Sequence, residues 1–228
     1  SSLVTGVQTC ALPISQGVTV LTNVAKEPEI IDLADMLNSM GADIKGAGTD
    51  EITIKGVNEL FGTSFTIPAD RIEAGTYLVA AAVTNGSITI DSINPNRLMK
   101  VINMIERSGP KISFDDNSIS ISMNKDRPDP VDITTAPFPE FPTDMQAQFS
   151  VINAISSGVS NIYETVFENR FMHILELNRM GCDIEVKGNH AIIKGVESIY
   201  GAEVMATDLR ASASLILAGL CAKGETVV

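Results

Sequence analysis

The sequence is short of basic residues. It has 16 Lys and Arg against 28 Asp and Glu over 228 residues, a formal net charge of −12 at pH 7. Nucleic-acid binding depends on Lys and Arg that displace counterions from the phosphate backbone. This charge balance therefore argues against a nucleic-acid partner.

Cysteine and histidine are also scarce. Cys10, Cys182 and Cys221 are an odd number at distant positions, and neither His173 nor His190 forms a short-spaced ligand pair with them. We expect no disulfide scaffold and no structural metal, and a reducing compartment is the default. The sequence also lacks a Gly-rich phosphate fingerprint, a nucleophile-elbow serine and a metal motif. We expect no cofactor.

Long apolar runs are missing as well. The longest nearly apolar stretch, residues 215–222, is far shorter than the ~18 residues of a membrane span. Hydrophobic residues nevertheless make up 44% of the chain, which is enough to bury a sizeable core. The composition predicts a soluble, acidic globular protein without a membrane partner.

Both ends of the chain read as interrupted. Residues 1–15 (SSLVTGVQTCALPIS) do not fit a secretory signal because no Lys or Arg precedes their weakly apolar part. They resemble translated sequencing-adapter sequence, which would leave Cys10 without a function. The other end stops at Val228 in an alternating segment after Gly224, which we interpret as the beginning of a strand.

An internal repeat organises the rest of the chain. The motif Met-Gly-x-Asp-Ile at residues 40–44 recurs at 180–184, and Ile-Lys-Gly-Val at 54–57 recurs at 193–196. A weaker middle copy is Ser-Gly-Pro-Lys-Ile at 108–112. These spacings predict a structural unit of about 70 residues.

Each unit begins with an amphipathic helix and a hairpin. Apolar residues recur at i, i+3, i+4 and i+7 from Ile30 and again from Leu98, and a glycine then ends the helix. Turn residues follow at 48–50, 115–117 and 187–189. The alternation of Ser and Ile over residues 118–122 predicts a strand with one apolar face.

A second helix and a short strand complete each unit. The second helices open at Asp70, Asp144 and Asp208, and we expect all three carboxylates to cap helix N-termini. Helix, two strands, helix and strand, repeated three times, predict an α/β fold in which helices cover small sheets. Because both ends are interrupted, we expect the domain to be incomplete.

Polar residues break the repeat in its third copy. Arg170 and His173 stand where the other copies are apolar, and Arg210 corresponds to Ile72 in one copy and to Gln146 in the other. Arg170 could point outward to a nearby glutamate, either Glu164 or Glu168. Alternatively, Arg170 and Arg210 converge on a carboxylate or phosphate, for which guanidinium is suited.

Two further polar features are the pair of histidines and a proline-rich approach to Asp144. His173 is interpreted as a satisfied, partly buried histidine, and His190, at a hairpin tip, as solvated. Three prolines in residues 134–149 fix an extended approach to Asp144, which suits either precise placement of that carboxylate or a plain connector.

Five segments carry a resemblance to a known family. Residues 25–30, 70–76, 141–149, 164–173 and 205–211 are similar to motifs of the UDP-N-acetylglucosamine enolpyruvyl transferases of peptidoglycan synthesis. The resemblance covers residues 17–228. It implies two domains, each an inside-out α/β barrel of three repeated units, here incomplete: residues 16–68 as the tail of one, residues 69–228 as most of the other.

The resemblance also implies a reaction and its residues. The family transfers the enolpyruvyl group of phosphoenolpyruvate to the 3′-hydroxyl of UDP-N-acetylglucosamine and releases phosphate. Asp144 matches the aspartate that contacts the sugar hydroxyl and accepts its proton, and Val166 matches a contact to the sugar nucleotide. Arg170, Asp208 and Arg210 match cleft residues on the phosphoenolpyruvate side.

What the resemblance leaves out is equally specific. The family's N-terminal Lys-Asn pair, its Gly-rich loop with the proton-donating Cys or Asp, and its final arginine segment have no match here. We therefore expect the chain alone to be inactive and to depend on the missing N-terminal part of the same protein. The implied setting is the bacterial cytoplasm, in cell-wall biogenesis, cell shape and division.

Two other interpretations stay open. A shikimate-pathway enolpyruvyl transferase shares the architecture, although residues 141–149 and 166–173 point away from it. Outside enzymes, the chain could be a non-catalytic binding module built from the repeat.

Overall fold

The computed structural model describes residues 12–206 and 208–228, which form two compact units. One unit comprises the described residues up to Pro68 together with Pro137–Pro139. The other comprises Ala69–Ala136 and Glu140–Val228. Their assignment to two transferase domains stays a prediction.

In its described part, the first unit has one α-helix, which packs on a three-stranded sheet. Strand β1 (Val18–Thr22), helix α1 (Pro28–Ser39), strand β2 (Asp43–Lys45) and strand β3 (Glu51–Lys55) follow in chain order. The sheet order is β1-β3-β2, with both pairs antiparallel. Ala34 and Leu37 of α1 pack with Ile52 and Ile54 of β3 in the core, as the helical and strand periodicities predict.

The start of the chain is only partly described. Residues 1–11, which include Cys10, lie outside the described part. Leu12–Ile14 form a 3-10 turn in which Pro13 is buried, and the backbone N–H of Val57 donates to the carbonyl of Pro13 at 2.7 Å. The adapter origin of residues 1–15 stays a prediction.

The second unit begins with α2 (Arg71–Val83), β4 (Ser87–Asp91), α3 (Met99–Arg107), β5 (Lys111–Phe114) and β6 (Ser118–Ser122). The sheet order is β4-β6-β5, all antiparallel. Ile119 and Ile121 are buried while the flanking serines of β6 are half-exposed. The alternation along β6 therefore places its apolar face on the core, as predicted.

The same unit continues with β7 (Ile133–Thr134), α4 (Gln146–Ala154), β8 (Val159–Tyr163), α5 (Met172–Arg179), β9 (Asp183–Lys187), β10 (His190–Lys194) and α6 (Leu209–Cys221). The sheet order is β7-β8-β10-β9, and β7 joins β8 in parallel. Where a strand was predicted after Gly224, Lys223 and Val227 instead make isolated bridges to Tyr200 and Glu203.

Helices α2, α4 and α6 are the second helices of the repeat, and they pack against one another. Helices α2 and α4 also contact strands of the sheets, and all three helices contribute to one apolar core, so the described part of the unit is an α/β domain of similar parts. The predicted α/β fold class, with helices that cover small sheets, is confirmed. Among the described helices, none combines the length and apolar character that crossing a membrane requires.

Candidate active site

Asp144 does not cap the helix that it precedes. Asp70 and Asp208 each accept two backbone N–H bonds at the starts of α2 and α6, as predicted. Asp144 instead lies in a 3-10 turn, Thr143–Met145, and α4 begins after it without a side-chain cap. The prediction of three equivalent caps was wrong, because charged donors bind this carboxylate in place of backbone N–H groups.

Two guanidinium groups converge on the Asp144 carboxylate. Nη2 of Arg170 donates to Oδ1 at 2.7 Å, and Nη2 of Arg210 donates to Oδ2 at 3.0 Å. Arg170 precedes α5, and Arg210 lies in the first turn of α6. Of the two interpretations of Arg170, the structure supports convergence on a carboxylate, and that carboxylate belongs to the chain itself.

The two arginines keep Asp144 ionised. Burial raises the pKa of Asp144, but hydrogen bonds and charge from Arg210 and Arg170 outweigh it, so the pKa lies below its ordinary value. The side chain of Asp144 is still 38% exposed, whereas those of Arg170 and Arg210 are 15% and 24% exposed. The cluster of Asp144, Arg170 and Arg210 thus combines a carboxylate that solvent can reach with two cations that are more buried.

A second carboxylate, Glu164, supports the cluster and was not among the predicted site residues. It is only 4% exposed, and the hydroxyl of Thr143 donates to its Oε2 at 2.8 Å. Nη1 of Arg170 in turn donates to the same hydroxyl oxygen at 2.8 Å. The sequence places Glu164 near Arg170 as a candidate direct partner, but in the structure the Thr143 hydroxyl lies between them.

The remaining two predicted residues connect to the same network. Asp208 accepts the backbone N–H of Arg210 at 2.8 Å, which places Arg210 at the start of α6. The backbone N–H of Val166 donates to Glu164 Oε1 at 2.8 Å, and the Val166 side chain is 37% exposed. All five predicted site residues therefore lie in one connected region of the second unit.

A cavity borders this region. It has a volume of about 430 Å³ and is lined by Glu164, Phe167, Glu168, Phe171 and Asn189, among others, a size typical of small-molecule pockets. A larger cavity, about 730 Å³, lies on the sheet β4-β6-β5 away from the five predicted residues.

Comparison with known proteins decides the family. The model of the family described as EPSP synthase (3-phosphoshikimate 1-carboxyvinyltransferase) matches residues 1–228. The chain belongs to this family. Among solved structures, the enolpyruvyl transferase NikO from Streptomyces tendae is similar with a TM-score of 0.81 and 26% identity, covering 94% of this chain and 51% of NikO.

Within the EPSP synthase family, curated relatives are named UDP-N-acetylglucosamine 1-carboxyvinyltransferase. Those of Haemophilus ducreyi and Hydrogenovibrio crunogenus are each 54% identical over 218 residues, 96% of this chain. The chain covers 51% and 52% of them, so it spans about half their length. An EPSP synthase from Acinetobacter baumannii shares the fold at a TM-score of 0.65 and 21% identity, covering 94% of this chain and 53% of that one.

Of the two histidines, His173 agrees with its prediction and His190 does not. His173 is buried and its Nε2 lies 3.3 Å from Ser150 Oγ, so it has a partner as predicted. His190 was expected to be solvated, but its ring stacks on Tyr163 at 4.2 Å and its Nε2 lies 2.9 Å from Asn161 Oδ1. Pairing between β8 and β10 brings these side chains together, which the hairpin position alone does not reveal.

The described cysteines do not resemble acids poised for catalysis. Burial raises the pKa of Cys182 to about 12 and that of Cys221 to about 11. Both thiols therefore remain protonated and unreactive at neutral pH. A proton donor for enolpyruvyl chemistry is accordingly not expected from either.

We expect His173 to make stability depend on pH. Burial lowers its pKa to about 4, although the charge of Asp208 acts in the opposite direction. The unfolded chain binds this proton near pH 6.5 and the folded chain only near 4, so stability should fall as pH drops through that window. For this single proton, the unfolding free energy should change by at most about 1.4 kcal/mol per pH unit.

Urea unfolding at several pH values would measure this effect, with His173→Gln as the non-titrating comparison. The difference in unfolding free energy between the two proteins isolates the histidine from the carboxylates. If the unfolding free energies of the two proteins changed in parallel between pH 6.5 and 4, His173 would have an ordinary pKa in the folded protein.

Proposed function

We propose that this chain is part of an enzyme that transfers the enolpyruvyl group of phosphoenolpyruvate to the 3′-hydroxyl of UDP-N-acetylglucosamine. Support comes from the 54% identity to proteins of that name. The observation that carries the proposal is Asp144, an ionised and partly exposed carboxylate held between Arg170 and Arg210.

In this mechanism, Asp144 receives the proton of the attacking hydroxyl. A carboxylate has about four acceptor positions, so each oxygen of Asp144 retains one besides its arginine bond. The hydroxyl can therefore donate to Asp144 while the ion pairs persist. Because the arginines lower the pKa of Asp144, it accepts a proton readily only once they turn toward another anion.

Phosphoenolpyruvate is such an anion. Arg170 and Arg210 carry two positive charges, and Asp144 carries one negative charge, so Asp144 alone does not neutralise the pair. Each guanidinium has five N–H donors in a planar fork, and the donors not used on Asp144 or Thr143 suit a phosphate or carboxylate. Binding of this substrate would draw the arginines from Asp144 and so make the base stronger.

The rest of the proposed enzyme comes from polypeptide that this chain does not contain. In the proposed arrangement, residues 16–68 are the tail of one domain and residues 69–228 most of the second. The missing part supplies the proton donor and much of the nucleotide pocket, so this chain alone is inactive. The proposed setting is peptidoglycan synthesis in the bacterial cytoplasm, where the product supports cell-wall biogenesis, cell shape and division.

A chimera tests the proposal. The chain is fused to the portions of the Haemophilus ducreyi protein that it does not match, and phosphate release from phosphoenolpyruvate is measured. We expect release that depends on UDP-N-acetylglucosamine in the chimera and none from the chain alone. Release that depends on shikimate 3-phosphate instead would establish the other acceptor, and a folded chimera active with neither would contradict the proposal.

A further inference from the structure

A buried carboxylate with four donors lies behind the candidate active site. Oε1 of Glu164 accepts the hydroxyl of Thr135 at 2.7 Å and the backbone N–H groups of Val166 and Phe167 at 2.8 and 3.0 Å. Oε2 accepts the hydroxyl of Thr143 at 2.8 Å. Glu164 is 4% exposed, and a buried charge is tolerated only when it is bonded in this way.

The bond to Glu164 sets the direction of the Thr143 hydroxyl. An ionised carboxylate can only accept, so the single proton of Thr143 Oγ1 points to Glu164 and the lone pairs of that oxygen point away. Nη1 of Arg170 donates to this oxygen at 2.8 Å. Glu164 therefore turns Thr143 into a fixed acceptor for Arg170.

The guanidinium of Arg170 is anchored at both of its terminal nitrogens. Nη1 donates to Thr143 and Nη2 donates to Asp144 at 2.7 Å, which fixes the orientation of a planar group. The ring centroid of Phe167 lies 5.2 Å from Cζ of Arg170, within the range of a cation–π interaction. Since Glu164 also binds the backbone N–H of Phe167, it supports Arg170 on two sides.

We infer that Glu164 is a positioning residue that sets, through the Thr143 hydroxyl, the orientation in which Arg170 meets Asp144. It does not touch Asp144 itself but acts through Arg170. Its catalytic meaning rests on the proposed function, whereas its effect on Arg170 does not. Substituting either Glu164 or Thr143 should therefore release the same guanidinium.

Rotation of the Arg170 guanidinium measures this directly. Exchange between its two Nη positions is followed by ¹⁵N NMR on the full chain, with Arg170→Lys used to assign the signal. A hydrogen bond to a charged group contributes about 1.5–3 kcal/mol, so we expect Thr143→Val and Glu164→Gln each to speed rotation about tenfold or more. Thr143→Ser retains the hydroxyl and should restore the slow rate.

Glu168→Gln is the matched control. It makes the same chemical change in the same loop at an exposed position, and it should leave the rotation rate unchanged. If Glu164→Gln does not fold, Glu164→Asp replaces it. That variant keeps the buried charge but draws the carboxylate back by one methylene, and it should accelerate rotation in the same way.

The outcomes separate this inference from the proposed function. Acceleration in the Thr143→Val and Glu164 variants, with rescue by Thr143→Ser, supports it whether or not the chimera is active. Loss of thermal stability with unchanged rotation would assign Glu164 a purely structural role and overturn it. If the guanidinium of Arg170 rotated faster in the variants of only one position, Glu164 or Thr143, the inference would also be overturned. The proposed coupling requires both residues.

Discussion

Asp144→Asn should reduce UDP-N-acetylglucosamine-dependent phosphate release by the chimera about 10²–10⁴-fold, the range typical of removing a general base. Asn keeps the size of the side chain and one carbonyl oxygen, but it cannot accept a proton at neutral pH. The substitution also removes the negative charge that pairs with Arg170 and Arg210. In the structure, the Nη2 atoms of these arginines lie 2.7 and 3.0 Å from the Asp144 carboxylate oxygens. Initial rates at saturating substrates would measure the loss.

Asp116→Asn serves as the control for this prediction. Asp116 is an exposed residue in the turn between β5 and β6, so the same substitution there should leave the rate unchanged. A chimera with Asp144→Asn that retained more than about a tenth of the activity would show that another group receives the proton.

Arg127→Met should lower the free energy of unfolding of the second unit by about 2–4 kcal/mol. Arg127 is half-buried, and Nε donates to the carbonyl of Ile155 at 3.1 Å, while Nη2 donates to the carbonyls of Ser156 and Val196, the latter at 2.9 Å. These carbonyls lie after the end of α4 and after β10. Methionine fills the space but leaves three acceptors without their donor, next to a helix terminus that favours a cation.

Lys125→Met is the matched control for Arg127. Lys125 pairs with Asp129 at 2.5 Å, but both side chains are more than 40% exposed, so its loss should change stability by less than about 1 kcal/mol. Urea unfolding monitored by a probe in the second unit gives both values. Equal midpoints for the two variants would show that the Arg127 bonds contribute no more than a surface ion pair.

The fold could be predicted largely from local patterns. The i, i+3, i+4, i+7 spacing located α1 and α3, and the alternation along residues 118–122 located β6 with its buried isoleucines. These predictions succeed because the side chains of one helix face or one strand face repeat at fixed intervals whatever the tertiary context. The repeat then transferred them from one unit to the next.

The candidate site could be predicted only in part. The repeat identified Arg170 and Arg210 as polar residues in apolar positions, and the resemblance added Asp144, Val166 and Asp208. The roles were less well predicted. Asp144 read as a helix cap because its local sequence matches that of Asp70 and Asp208, and nothing local marks the guanidinium groups that replace the cap bonds.

Glu164 shows most clearly what local sequence omits. Its donors come from Thr135, Thr143 and its own loop, up to 29 residues away along the chain. From local sequence, a carboxylate in a polar stretch is expected to be solvated. Only the tertiary packing shows that Glu164 is buried and hydrogen-bonded to four donors.

By itself, the sequence determined the repeat, most of the helices and strands, and the family, because these depend on periodicity and on residue identity along the chain. Tertiary structure alone decided that Asp144 binds two arginines instead of a helix N-terminus, and that Glu164 holds one of them through Thr143. The physical reason is distance along the chain. Partners 26 and 66 residues from Asp144 meet only when α4, α5 and α6 pack together.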